Sequence, residues 1–208
     1  MDLHFFAARY NRVHQKTKEG SPMSGQTHNA VPLIDRENAI LVMIDFQERL
    51  VPAMAEKERL LENALRLARF SRIIGMPVIV TEQQKLGSTL QELREALGNP
   101  EPISKVDFNC FGCDAFLEKM RMDRPQTLIV AGIEAHICVL QTALHGLSRF
   151  RVHVVGDAVS SRTLQNRDFA LRRMEREGVT VTSTEMFIYE LLKKAGTDEF
   201  REVLKIVK

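Results

Sequence analysis

The chain is poor in several residue types: no tryptophan, two tyrosines, and three cysteines among 208 residues. An odd, small cysteine count excludes the disulfide framework that staples small secreted domains, so the thiols are expected to be reduced. No apolar stretch approaches the roughly 20 residues of a membrane span, and no charged segment leads into an apolar core with a small-residue cleavage site. Neither a membrane nor a secretory route is expected. A formal charge of +2 is spread along the chain with no basic block, so a nucleic-acid partner is not expected either. The reading is a soluble cytoplasmic protein. Mitochondrial import fits less well, because Asp2, Glu19 and a shortage of Ser near the start depart from a basic, acid-poor transit peptide.

What is present suits one α/β domain: 44% hydrophobic and 27% charged residues, with no internal repeat or low-complexity tract. The first residues stand apart. Leu3 to Val13 can be drawn as a short amphipathic helix carrying Arg9 and Arg12, and Gln15 to Ala30 is polar and unpatterned. The expected division is an N-terminal arm over 1–33 and a single domain over 34–208.

From Asn38 onward β-branched apolar runs alternate with amphipathic segments, the pattern of a parallel sheet covered on both faces by helices. Strands are expected at Ala39–Ile44, Pro77–Thr81, Thr127–Val130, Val152–Val155 and Val179–Thr182. Helices are expected at Glu58–Ile74, Leu90–Leu97, Cys113–Met122, Ile137–Leu147, Asn166–Glu177 and Glu185–Lys194. Gly75, Gly98 and Gly178 mark stops, and Ser183 or Thr184 a cap.

In such a sheet ligands bind beyond the C-terminal strand ends, where loops and helix starts converge. Asp45 ends the first strand and Cys138 follows the exit of a central one at Ala131-Gly132, and the right-handed crossover rule places the two ends side by side. At a helix start, amide protons and the helix dipole should draw the Cys138 pKa below its free value of about 8.5 and make a nucleophile. A structural core cysteine is the plain alternative, as a helix cap or loop carboxylate is for Asp45. Cys110-Phe111-Gly112-Cys113 has the C-x-x-C form but lacks the second ligand pair of a zinc site.

Ile44-Asp45-Phe46-Gln47, Ser104-Lys105-Val106-Asp107-Phe108 and Gly132-Ile133-Glu134-Ala135-His136-Ile137-Cys138-Val139 occur in an order that resembles the isochorismatase-like cysteine hydrolases. The resemblance runs from about Ile34 to the C-terminus. Val80-Thr81-Glu82-Gln83, Val152 to Ala158 with Ser160-Ser161-Arg162, and Thr182-Ser183-Thr184-Glu185 resemble the isochorismatase-domain-containing branch. It implies a three-layer α/β/α fold around a mostly parallel sheet of about six strands, and a homo-oligomer of two or more copies. It also implies a triad: Asp45 moving a proton, Lys105 stabilising a thiolate, Cys138 attacking carbon. A cis peptide at Ile133-Glu134 is implied, aiming the amides of Glu134 and Cys138 at an oxyanion. The same resemblance puts Gln47 near the substrate and Phe108 as an apolar wall, with His136 in a structural or pocket-lining role.

Departures from the family patterns narrow the activity. Nicotinamidase-like members carry Asp-x-His-x-x-His after the second strand, but Thr81 to Thr89 contains no histidine, so no metal or other cofactor is expected. Isochorismatases proper lack the cysteine nucleophile, and Cys138 therefore speaks against isochorismate. The resulting expectation is a cofactor-independent hydrolase cleaving an amide-like C–N bond of a small molecule through a thioester. Two alternatives stand beside it: a thiol sensor using Cys110 or Cys113, and an interaction scaffold using the N-terminal arm.

Overall fold

The computed structural model describes residues 33–207. The expected arm, with His4, His14 and His28, lies outside them except for Leu33.

Six strands form one sheet in the order β3-β2-β1-β4-β5-β6, all parallel. They are β1 (Ala39–Ile44), β2 (Val78–Gln83), β3 (Ile103–Lys105), β4 (Thr127–Ile133), β5 (Arg151–Ser160) and β6 (Thr180–Thr182). Among the described residues seven α-helices connect and follow them: α1 (Lys57–Ile73), α2 (Gln91–Leu97), α3 (Asp114–Asp123), α4 (Leu140–Gly146), α5 (Leu164–Arg176), α6 (Thr184–Leu192) and α7 (Asp198–Val207). The fold is three-layer α/β/α.

Every residue of β1 is buried, as a central parallel strand with helices on both faces requires. Its alternate side chains serve two cores. Leu41 and Met43 pack with α1, α2, α6 and α7 through residues such as Leu67, Leu93, Phe187 and Val203. Ile40, Val42 and Ile44 face the other way, with Phe116 of α3, Ala143 of α4 and Met174 of α5. An edge-to-face pair, Phe70 and Phe187 at 5.8 Å, locks α1 to α6 in the first core.

Several bounds differ from the sequence expectation. Ala131-Gly132 is not the exit of β4, which runs on to Ile133 beside β1, with Gly132 opposite Ile44. A Cβ at Gly132 would lie 2.3 Å from the Ile44 carbonyl oxygen, and its φ of +143° also favours glycine. The glycine is a close-packing device within the sheet, not a turn. Likewise β5 continues past Val155, because a register shift opposite β4 absorbs Gly156-Asp157 and lets pairing resume at Val159. The Asp157 carboxylate then accepts from the Thr184 amide and hydroxyl, both at 2.8 Å, while Ser183 caps α6 by accepting from Met186 N.

Candidate active site

The strand order decides which C-terminal ends meet. Asp45 follows β1 and Cys138 follows β4, its direct neighbour, whereas Lys105 ends β3 two places away. A lysine stem is long enough to cross under β2 to Asp45. Its ammonium donates to Asp45 Oδ2 at 2.7 Å and Gln83 Oε1 at 2.8 Å, and lies 3.7 Å from Cys138 Sγ. All three residues expected from the sequence are thus brought together, and the Lys105 and Asp45 side chains have no solvent exposure.

Asp45 is held by more than the lysine. Thr81 Oγ1 donates to Oδ1 at 2.7 Å, the Asp45 amide donates to Thr81 O at 3.1 Å, and a positive φ of 56° turns the chain sharply after β1. Gln83, two residues along β2 from Thr81, receives the ammonium on Oε1 and donates from Nε2 to Val106 O at 2.6 Å. These two β2 side chains were not singled out as site residues from the sequence. Their signal was the period-2 spacing at the C-terminal end of a strand neighbouring β1.

Cys138 does not sit in the first turn of a regular α-helix. Ala135–Val139 forms a π turn that runs directly into α4, a geometry frequent at functional sites. The expectation of a depressed thiol pKa is also corrected. Burial pushes the Cys138 thiol up to about 12, the Asp45 carboxylate adds to the rise, and the Lys105 ammonium offsets it only in part. Lys105 itself is raised: burial opposes its charge, but Asp45 and the two nearby sulfurs outweigh that penalty. The resting arrangement is therefore an ammonium–carboxylate pair beside a neutral thiol.

Above these groups lies a cavity of about 390 Å³. Asp45, Gln83 and Cys138 contribute its polar floor, Leu50, Met54 and Phe108 its apolar walls, and Arg49, Glu134 and Arg162 further polar groups. Phe108 is where it was expected. Gln47 is not: it is fully buried and absent from the lining, its amide donating to Gln83 O and Gly87 O and accepting from Gln83 N. Its role is to tie the β1 exit to the β2 exit. His136 is also outside the lining, with Nδ1 2.9 Å from Ser161 Oγ. The pocket-lining half of that expectation is corrected, and the structural half describes what is seen.

The Ile133–Glu134 peptide is cis. The Glu134 side chain, given no task from the sequence, accepts from Arg162 N and Nε at 3.1 Å each. Among the other thiols, Cys110 is fully buried with its pKa pushed by burial up to about 11, and Cys113 is half-buried, 3.8 Å from Ser104 O.

At the C-terminal ends of the 3-2-1-4-5-6 parallel sheet a buried ammonium is thus shared by a carboxylate and a thiol, and comparison with known proteins gives the fold as that of the isochorismatase-like hydrolases. Residues 39–186 match the isochorismatase domain, and the chain belongs to that family. It is similar to isochorismatase domain-containing protein 2A of Mus musculus, with 36% identity over 177 residues covering 83% of this chain and 84% of the mouse protein. It is 36% identical over 167 residues to isochorismatase domain-containing protein 1 of Salmo salar, covering 79% of this chain. That match takes in 59% of the salmon protein, so the chain spans about three-fifths of that relative's length. Among solved structures, the MAR1 ribonuclease of Caenorhabditis elegans superposes with a TM-score of 0.79 and 36% identity, over 85% of this chain and 92% of that one.

Proposed function

We propose that the protein is a cysteine hydrolase that cleaves an amide-like C–N bond of a small molecule through a thioester on Cys138. The observation that supports this most is the placement of Lys105 Nζ, 2.7 Å from Asp45 Oδ2 and 3.7 Å from Cys138 Sγ, beneath an open cavity.

In this reading the sulfur becomes nucleophilic only as it reacts. The thiol proton passes to the Asp45 carboxylate while Sγ bonds to the substrate carbonyl carbon, and the Lys105 ammonium stabilises the negative charge leaving Asp45 for sulfur. The carbonyl oxygen takes the developing charge, and the amides of Glu134 and Cys138 are the proposed donors, a type of contact worth about 3 kcal/mol each. Asp45 returns the proton to the departing nitrogen, the C–N bond breaks, and the thioester remains. Water then gives a proton to Asp45, attacks the thioester carbon, and displaces the sulfur, which recovers its proton from Asp45. The acid product leaves. Resemblance to the family extends the proposal to a homo-oligomer, which sedimentation of the purified chain would reveal.

The test is a panel of small amides and carbamoyl compounds incubated with wild type and Cys138→Ala, read by intact mass and by released ammonia or amine. The expected result is a mass increase equal to an acyl group on wild type, absent from Cys138→Ala. A short RNA belongs in the panel because the C. elegans relative is described as a ribonuclease. Cleavage of RNA that persists in Cys138→Ala, with no adduct from any amide, would overturn the reading.

A further inference from the structure

Lys105 is the last residue of a strand only three residues long, at the edge of the sheet, paired with β2 alone. So short an edge strand is weakly held by its own ladder. Beyond the hydrogen bonds from Gln84 N to Lys105 O and from Gln83 Nε2 to Val106 O, the next residues add little packing, since Val106 and Phe108 are 66% and 54% exposed. The first fully buried anchor after Lys105 is Cys110, whose amide donates to Thr142 Oγ1 at 3.0 Å, with Thr142 itself fully buried.

Thr142 lies in α4, one turn beyond Cys138. We infer that Thr142 is a positioning residue, which pins the segment after β3 to the helix bearing the nucleophile and thereby sets the distance between the Lys105 ammonium and the Cys138 sulfur. An outer contact runs in parallel. Asn109 Nδ2 lies 3.0 Å from His145 Nδ1, and the Phe111 ring stacks on the imidazole with centroids 4.6 Å apart and planes 10° from parallel. Cys138 stands in the π turn that leads into α4, and Thr142 and His145 in α4 itself, so the nucleophile and both anchor points lie on consecutive turns facing the same neighbouring segment. Water can replace the exposed outer hydrogen bond but not the ring stacking beside it, so the loss of His145 costs less than the loss of the inner contact. Water cannot reach that inner contact, which makes Thr142 the stronger determinant.

This inference rests on the roles proposed for Lys105 and Cys138, but its test does not need a substrate. Alkylation of Cys138 by iodoacetamide at pH 9, followed by peptide mass, is compared in wild type, Thr142→Val and Thr142→Ser, with thermal melts alongside. The valine variant, isosteric but lacking the acceptor, should label about tenfold more slowly, equivalent to one pKa unit of lost thiolate stabilisation. Serine should restore the rate. With any amide that the wild type hydrolyses, Thr142→Val should lower kcat and leave KM within about threefold. His145→Ala, at an exposed position, should slow labelling in the same direction by about threefold, and this variant decides the matter should Thr142→Val not fold. A folded Thr142→Val that labels like wild type, or His145→Ala with no effect in the absence of a folded valine variant, overturns the inference. Wild type that labels as described but hydrolyses no amide overturns only the proposed reaction.

Discussion

At the scale of single residues, the site is first a buried ion pair, beside the thiol proposed as nucleophile. Lys105 and Asp45 are both withdrawn from water, and their attraction repays that desolvation only because the ammonium also reaches Gln83 and the carboxylate also accepts from Thr81. Removing one member strands the other. Lys105→Met should therefore lower unfolding free energy by about 3–5 kcal/mol in urea titrations, and Asp45→Asn added to it should recover part of that loss. The pH dependence has a definite sign. Because the folded pKa of Lys105 lies above its ordinary 10.5, the pair contributes fully below that value and its contribution disappears as pH rises through the folded pKa. Stability measured from pH 9 upward should fall in wild type beyond about pH 10.5, and Lys105→Met should lack that component of the fall.

At the scale of elements, the central strands were legible because burial on both faces demands continuous apolar runs, and Ala39–Ile44 reads and folds with the same bounds. The misread elements each have a local reason. Ile103-Ser104-Lys105 is too short to show alternation, and its serine is exposed, so nothing in composition marks β3. Gly132 and Gly156-Asp157 look like punctuation, yet one lets two strands approach and the others sit where the pairing register shifts. The site follows the same pattern. Strand-end reasoning places Asp45 and Cys138, the family motif alone places Lys105, and the resemblance puts Gln47 near the substrate and leaves His136 between a structural and a pocket-lining role, whereas the polar atoms of both bind protein groups. Local sequence cannot tell which carbonyl a glutamine will meet. For Gly132 the consequence is testable: Gly132→Ala forces backbone apart between β1 and β4, and should destabilise the fold by about 4 kcal/mol or more, seen as loss of soluble protein or a collapsed denaturation midpoint.

At the scale of the whole molecule, the sheet separates two cores, and the Cys138 sulfur belongs to only one of them. Cys138 packs with α3, α4 and α5, whereas α1, α2, α6 and α7 close the opposite face. The outermost of these, α7, is held to the start of the described chain by an Arg36–Glu199 ion pair at 2.9 Å. Stability and chemistry should be largely separable across this division, because the first core reaches the cavity only through wall residues such as Leu50 and Met54, away from Phe187. Phe187→Ala, which empties a fully buried position against Phe70, should cost about 3–5 kcal/mol in urea denaturation while leaving kcat of the folded enzyme within about twofold. A large loss of kcat without a shift in the denaturation curve would mean that the two faces are coupled.

The proposed reaction needs a sulfur that rests as a thiol and gives its proton to Asp45. The most direct measurement is the rate of Cys138 alkylation by iodoacetamide as a function of pH, in wild type and Asp45→Asn. With the thiol pKa near 12, the wild-type rate should climb in proportion to hydroxide with no plateau up to about pH 10. Asp45→Asn removes the carboxylate that holds the proton on sulfur, and its profile should move to lower pH by at least about one unit. A wild-type plateau with a midpoint at or below about 8.5, or an unchanged profile in Asp45→Asn, would contradict the central claim.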